Sequence, residues 1–261
     1  PAASPEPAAS PEPAASPAPV ARPEPEAPPE SAASPELAPA PEPEGEAPGL
    51  HAPLDAILKA TVRAERVDYA AIAGTHRAAL TAYLDALASV DVSALSRKQR
   101  LALYINLYNA TMISAIADRY RPGYSVADKD WAVFDEPLVR VGGAVISLND
   151  LEHKRVRPMG DPRIHAALVC GARSCPPLDP VAYTELNLNR LLERNVRRWL
   201  ADAGRNRIDV DAQTLELSAI FDWYADDFGG KEGLSTYVNK YTDADVAGFE
   251  VTFLEYSWGL N

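Results

Sequence analysis

The chain of 261 residues has little of what several protein classes depend on. It carries only two cysteines, so a lattice of disulfides is not what holds it together. No run of 18 apolar residues occurs, and nothing in the sequence reads as a bilayer-spanning helix. Basic residues are outnumbered, 25 Lys and Arg against 37 Asp and Glu, and no cluster of them is interleaved with aromatics. Nucleic acid and anionic membrane surfaces are thereby disfavoured as partners. No signal peptide is readable at Pro1, and no cofactor is expected.

Large apolar side chains are scarce over the first 48 positions, which hold 16 of the 24 prolines, nine glutamates and one arginine, Arg22. Most of the net charge of −12 therefore resides there. The segment opens on an imperfect six-residue repeat, Pro1-Ala2-Ala3-Ser4-Pro5-Glu6 followed by Pro7-Ala8-Ala9-Ser10-Pro11-Glu12. Such a stretch cannot offset the entropy of ordering. Residues 1–49 are read as a disordered Pro/Ala/Glu-rich linker, reaching roughly 100–150 Å when extended. A spacer of this kind on a chain that starts without methionine suggests an export signal or a membrane tether upstream of Pro1. The expected location is the periplasm or cell envelope, with a cytoplasmic protein bearing a disordered tail as the alternative.

Residues 50–261 suffice for a single globular domain with its own core. Apolar spacing predicts helices from Leu54 through Val62 and from Ala79 through Leu87, with Val67-Asp68-Tyr69 as an extended link between them. Ser96-Arg97-Lys98-Gln99 matches a capping box and opens a helix that runs to about Tyr120, before Pro122. That helix is apolar on most sides and should be buried. Asn106 and Asn109 fall on one of its faces.

A hairpin is expected over 138–147 with Gly142-Gly143 as its turn, then a helix from about Asn149 carrying Glu152 and His153. An amphipathic helix over 186–200, arginine-rich on its outer face, is followed by a second hairpin, 207–210 with 214–217. An aromatic block at 220–224, a short helix over 234–241 and a last strand over 250–256 close the chain. Helices dominate and the strands come as hairpins, so the fold class is α+β.

Residues 164–178 place both cysteines, Cys170 and Cys175, just after His165 and before Pro176-Pro177. Histidine, thiols, glycine and a double proline in an apolar stretch read as a site. Cys175 is the expected nucleophile, on an exposed turn, with His165 or His153 as base and Glu152, Asn106 or Asn109 orienting the ring. Arg173 would hold a thiolate or a substrate carboxylate. A Cys170–Cys175 disulfide, a zinc site using both cysteines with His165 and His153, and plain burial stand beside this reading. Phe221, Trp223 and Tyr224 are read as core or pocket wall, with some prospect of binding a ligand.

These residues resemble a family found in bacteria and plants, the domain of unknown function 547. The resemblance rests on Tyr104-Ile105-Asn106-Leu107-Tyr108-Asn109-Ala110, Ile146-Ser147-Leu148-Asn149-Asp150-Leu151-Glu152-His153, and Asp161-Pro162-Arg163-Ile164-His165 running into Cys170 and Cys175. Val67-Asp68-Tyr69, Ser218-Ala219-Ile220-Phe221-Asp222-Trp223-Tyr224 and the terminal Trp258-Gly259-Leu260-Asn261 extend it. It implies a fold and a residue set more than a reaction. Plant relatives tend to carry serine where Cys175 stands, and the terminal segment is read as a packing motif. The expected function is a thiol-dependent hydrolase or acyltransferase acting on an amide or thioester of a small molecule or peptide. The alternative is a non-catalytic binding or scaffold module with a Cys170–Cys175 disulfide.

Overall fold

A computed structural model describes residues 49–63 and 66–261; the linker expected over 1–49 lies almost wholly outside the described residues. The architecture is α+β, mainly helical. Helix α1 (Ala52–Thr61) leads into a small hairpin of β1 (Val62–Arg63) and β2 (Arg66–Val67). The link at Val67-Asp68-Tyr69 is extended only in part. Asp68 accepts from the Ala71 N–H at 2.9 Å and caps a short helix, α2 (Tyr69–Ala73), ahead of α3 (Arg77–Ala88).

Helix α4 (Arg97–Arg119) starts with the expected reciprocal cap: the Gln99 N–H donates to Ser96 Oγ at 3.2 Å and the Ser96 N–H to Gln99 Oε1 at 3.0 Å. Leu101, Leu103, Ile105, Leu107, Met112, Ile113 and Ile116 are all buried on it. At about 1.5–3 kcal/mol for each large apolar side chain, α4 is the post around which the first core cluster forms. A helix absent from the sequence reading, α5 (Asp128–Asp135), follows; its eight residues are too few for a clear period.

The first expected hairpin is β3 (Val139–Val141) with β4 (Ala144–Ile146). Gly142 and Gly143 both take positive φ, 56° and 77°, as this tight turn requires. Ser147 caps α6 (Leu148–Leu151), which widens into a π-helical turn, Glu152–Val156, and then tightens into a 3-10 turn, Arg157–Met159. Helix α7 (Leu188–Leu200) joins two cores: Leu188, Leu191 and Leu192 face the α4 cluster, while Val196, Trp199 and Leu200 face a second one. Its arginines are not merely an outer face, because Arg198 donates to the Pro177 carbonyl at 2.7 Å and Arg194 pairs with Asp179.

The second core is built on β5 (Arg207–Asp209), β6 (Thr214–Ser218), α8 (Ala219–Trp223), α9 (Leu234–Asn239) and β7 (Glu250–Leu254). Phe221 of α8 stacks on Trp199 with ring centres 4.6 Å apart. β5 and β6 form the second expected hairpin, but β7 lies parallel to β6, giving the order β5-β6-β7. The strands are therefore not all hairpins. Among the described residues no helix is long and apolar enough to cross a membrane.

Residues 167–179 run between the clusters almost without regular structure. Gly171 sits there at φ +81°, and a Cβ on it would come within 2.3 Å of Ile116 Cδ1 on α4. Gly171→Ala should therefore lower stability in urea unfolding by about 2 kcal/mol or more. Gly229→Ala, also at positive φ but facing open space, should cost only about 1–2 kcal/mol of backbone strain. Equal losses would show that the approach to α4 is not tight.

Candidate functional site

The loop 167–179 is fixed from three sides. From α4, Asn109 Nδ2 donates to the Ala167 carbonyl and the Val169 N–H donates back to Asn109 Oδ1, both at 2.9 Å. From the C-terminal segment, the Arg173 N–H donates to the Gly259 carbonyl at 2.7 Å and the Asn261 N–H to the Gly171 carbonyl at 3.0 Å. From beyond α7, Arg205 Nε donates to the Cys175 carbonyl at 2.7 Å. These bonds supply the partners that an irregular buried backbone cannot find within itself.

Held in this way, the loop forms one wall of a cavity of about 270 Å³ at the seam of the two cores. Cys170, Cys175 and His165 line it together with Glu152 from the π-helical turn and Tyr108 from α4. Its mouth is aromatic. Trp131 of α5 and Trp223 of α8 are 43% and 49% exposed, and Trp258 and Tyr256 stand between them. The terminal motif is thus more than packing, since Trp258 forms part of the cavity. A second cavity, about 330 Å³, lies beside His51 and Gln99 and contains no cysteine; its histidine is bonded to Tyr83 at 2.8 Å.

The expected ranking of the cysteines is reversed. Cys175 is buried at 2% exposure rather than on an exposed turn, whereas Cys170 is half-buried. Both are free thiols, with Sγ atoms 2.8 Å apart. Burial alone would raise Cys170, but hydrogen bonding with Cys175, with the Tyr256 hydroxyl at 3.3 Å and with the Ala172 backbone outweighs it and holds this thiol below its ordinary value. Burial and the adjoining Cys170 sulfur push Cys175 well above its own. The two shifts run in opposite directions, and Cys170 is the more acidic thiol of the pair.

His165 lies in the cavity wall, but its orienting partner is neither Glu152 nor an asparagine. His165 Nε2 donates to Asp227 Oδ2 at 2.7 Å, and Arg157 grips the same carboxylate at 2.7 and 2.9 Å. Burial opposes the charge on Asp227, yet these donors outweigh it and hold the carboxyl well below the usual range. Its contribution to stability is complete above that range and is lost as the pH falls from there through the lowered value. Asp227 was not singled out from the sequence; its one signal is its place between the aromatic block and Phe228. Among the described residues neither sulfur hydrogen-bonds a histidine.

Other expected site residues stand apart. His153 is exposed, bonded through Nδ1 to Arg157 at 3.0 Å, and does not line the cavity. Arg173 is exposed and outside it as well. Asn106 is spent on the Tyr183 backbone, donating to its carbonyl at 2.7 Å and accepting its N–H at 2.9 Å. Asn106 and Asn109 are braces, and neither lines the cavity. Among the described residues no group of three or more His, Cys, Asp or Glu could hold a metal ion, so the zinc arrangement is not formed.

The fold and cavity define an α+β domain that encloses a thiol pair beneath an aromatic mouth. A family model, Protein of unknown function, DUF547, matches residues 92–200, and over this stretch the chain is similar to that family. The match takes in α4, the π-helical turn and the cysteine loop, while Trp223, Asp227 and Trp258 lie beyond it. No curated protein and no solved structure matches the chain.

If Asn109 fixes the loop, Asn109→Ala should cost about 2–4 kcal/mol in urea unfolding, since it strands a buried carbonyl and a buried N–H. Asn149→Ala, at the half-exposed rim of the same cavity, should cost under about 1 kcal/mol. Equal effects would remove the brace from the account.

Proposed function

We propose that the cavity performs thiol-dependent acyl transfer on an amide or thioester, as a hydrolase or acyltransferase, with Cys170 rather than Cys175 as nucleophile. The observation that supports this most is one cavity lined by both a free, half-buried Cys170, whose thiol is held below its ordinary value, and His165 paired with Asp227. His165 takes the Cys170 proton across the cavity, and Asp227 stabilises the imidazolium. The thiolate attacks the carbonyl carbon and the C–N or C–S bond breaks. The leaving amine or thiolate takes the proton from His165, and a Cys170 thioester remains. Water or a second nucleophile then releases the acyl group.

The sulfur contact supports a second reading, a binding or scaffold module in which Cys170 and Cys175 are oxidised to a disulfide. A periplasmic or cell-envelope location, read from the Pro/Glu/Ala spacer, belongs to the same set of proposals. It bears on the choice because oxidising conditions favour the bridge.

The test is intact-protein mass spectrometry after incubation with small acyl thioesters. The reduced protein should gain one acyl group on Cys170; Cys175→Ser should still gain it, and Cys170→Ser should not. His165→Ala should slow acylation by 10²-fold or more. Absence of any adduct, with two thiols appearing only after reduction of the native protein, would overturn acyl transfer in favour of the module.

A further inference from the structure

The acyl-transfer reading says nothing of what else the substrate carries, but the cavity's walls do. Its mouth is a set of π faces: Trp223 and Trp258 stack with ring centres 5.7 Å apart at 12°, Trp131 meets Trp258 edge-on at 5.6 Å, and Tyr256 lies 4.5 Å from Trp258. Half-exposed tryptophans grouped around an opening are a surface awaiting a partner. Within, Glu152 is 7% exposed; it hydrogen-bonds the Tyr224 hydroxyl but makes no ion pair among the described residues. No lysine or arginine lines the cavity. The nearby guanidinium of Arg157 is committed to Asp227 and stacks over Tyr224 at 4.9 Å.

An anionic ligand would meet a buried carboxylate with no cation to receive it. A neutral apolar ligand would expel water from Glu152 and leave that charge without a counterion. A cation satisfies both the carboxylate and the aromatic faces, which attract positive charge through their quadrupoles.

We infer that the cavity binds an organic cation, an ammonium or guanidinium group, seated between Trp131, Trp223 and Trp258 and the carboxylate of Glu152. The inference rests on the cavity described above and deepens the acyl-transfer reading by assigning a positively charged group to the substrate. The cation has two available sources, a free small amine or a basic peptide side chain, and their shared chemistry is what the site recognises.

The experiment uses the full chain carrying Cys170→Ser, so that no covalent step intervenes, with tryptophan fluorescence and calorimetry as readouts. The probes are choline, its neutral isostere 3,3-dimethylbutanol, butyrate, and blocked lysine and arginine as peptide surrogates. The expected result is saturable binding of the cations, at least tenfold tighter than of the isostere or butyrate, weakened tenfold or more by Glu152→Gln. Preference for choline assigns a free amine; preference for a blocked amino acid assigns a peptide. Equal binding of choline and isostere, preference for butyrate, or indifference to Glu152→Gln overturns the inference. Should Glu152→Gln not fold, Trp223→Leu, at a half-exposed position, carries the same test. Cation binding without acylation by any thioester would sink the acyl-transfer reading alone. Acylation without cation preference would sink this inference alone.

Discussion

The Asn109 amide, buried in the middle of α4, donates to one backbone group of the cysteine loop and accepts from another two residues on. Everything else at the site depends on that pair of bonds. A loop of irregular backbone lying between two cores would otherwise leave polar groups without partners, at about 1–3 kcal/mol each. With the amide in place, the loop can be both buried and exact in position. Gly171 can then approach Ile116 closely, and the C-terminal segment can add its own backbone bonds on the opposite side.

Burial by that segment is what separates the two cysteines chemically. Both thiols line the cavity, but Cys175 is buried and burial pushes its thiol well above the ordinary value, whereas Cys170 is half-buried and hydrogen bonding with Cys175 and Tyr256 holds it below. Two thiols five residues apart thus shift in opposite directions although their sulfurs are in contact. A parallel division holds for the acids. Asp227 is saturated by His165 and Arg157, while Glu152 is left without an ion pair among the described residues. One carboxylate fixes the histidine, and the other gives the cavity its sign.

Much of the frame was legible in the residues. The Ser96 and Gln99 cap, the continuous apolar faces of α4 and the Gly142-Gly143 turn each carry local signals strong enough to survive folding unchanged. The buried asparagines were legible as polar groups in need of partners, but the expected partner was a ring to be oriented, whereas their partners are the backbones of Tyr183, Ala167 and Val169. What the sequence concealed arises from long-range contact. Nothing local marks Glu152 as the start of a π-helical turn, or Asp227 as the partner of a histidine 62 residues earlier. The order of the cysteines was misread because Pro176-Pro177 suggests an exposed turn, whereas that stretch is buried, with Arg205 and Arg198 bonded to the Cys175 and Pro177 carbonyls. α5, which brings Trp131 to the cavity mouth, is too short to show a period.

The central claim is that this packing makes Cys170 the reactive thiol and Cys175 an inert one. The most direct test is the pH profile of alkylation of each cysteine in the reduced native protein, resolved by peptide mass spectrometry. The account predicts that Cys170 is modified with an apparent pKa below that of an ordinary thiol, and that Cys175 resists until the protein is unfolded. Faster modification of Cys175, or equal rates at the two, would contradict it.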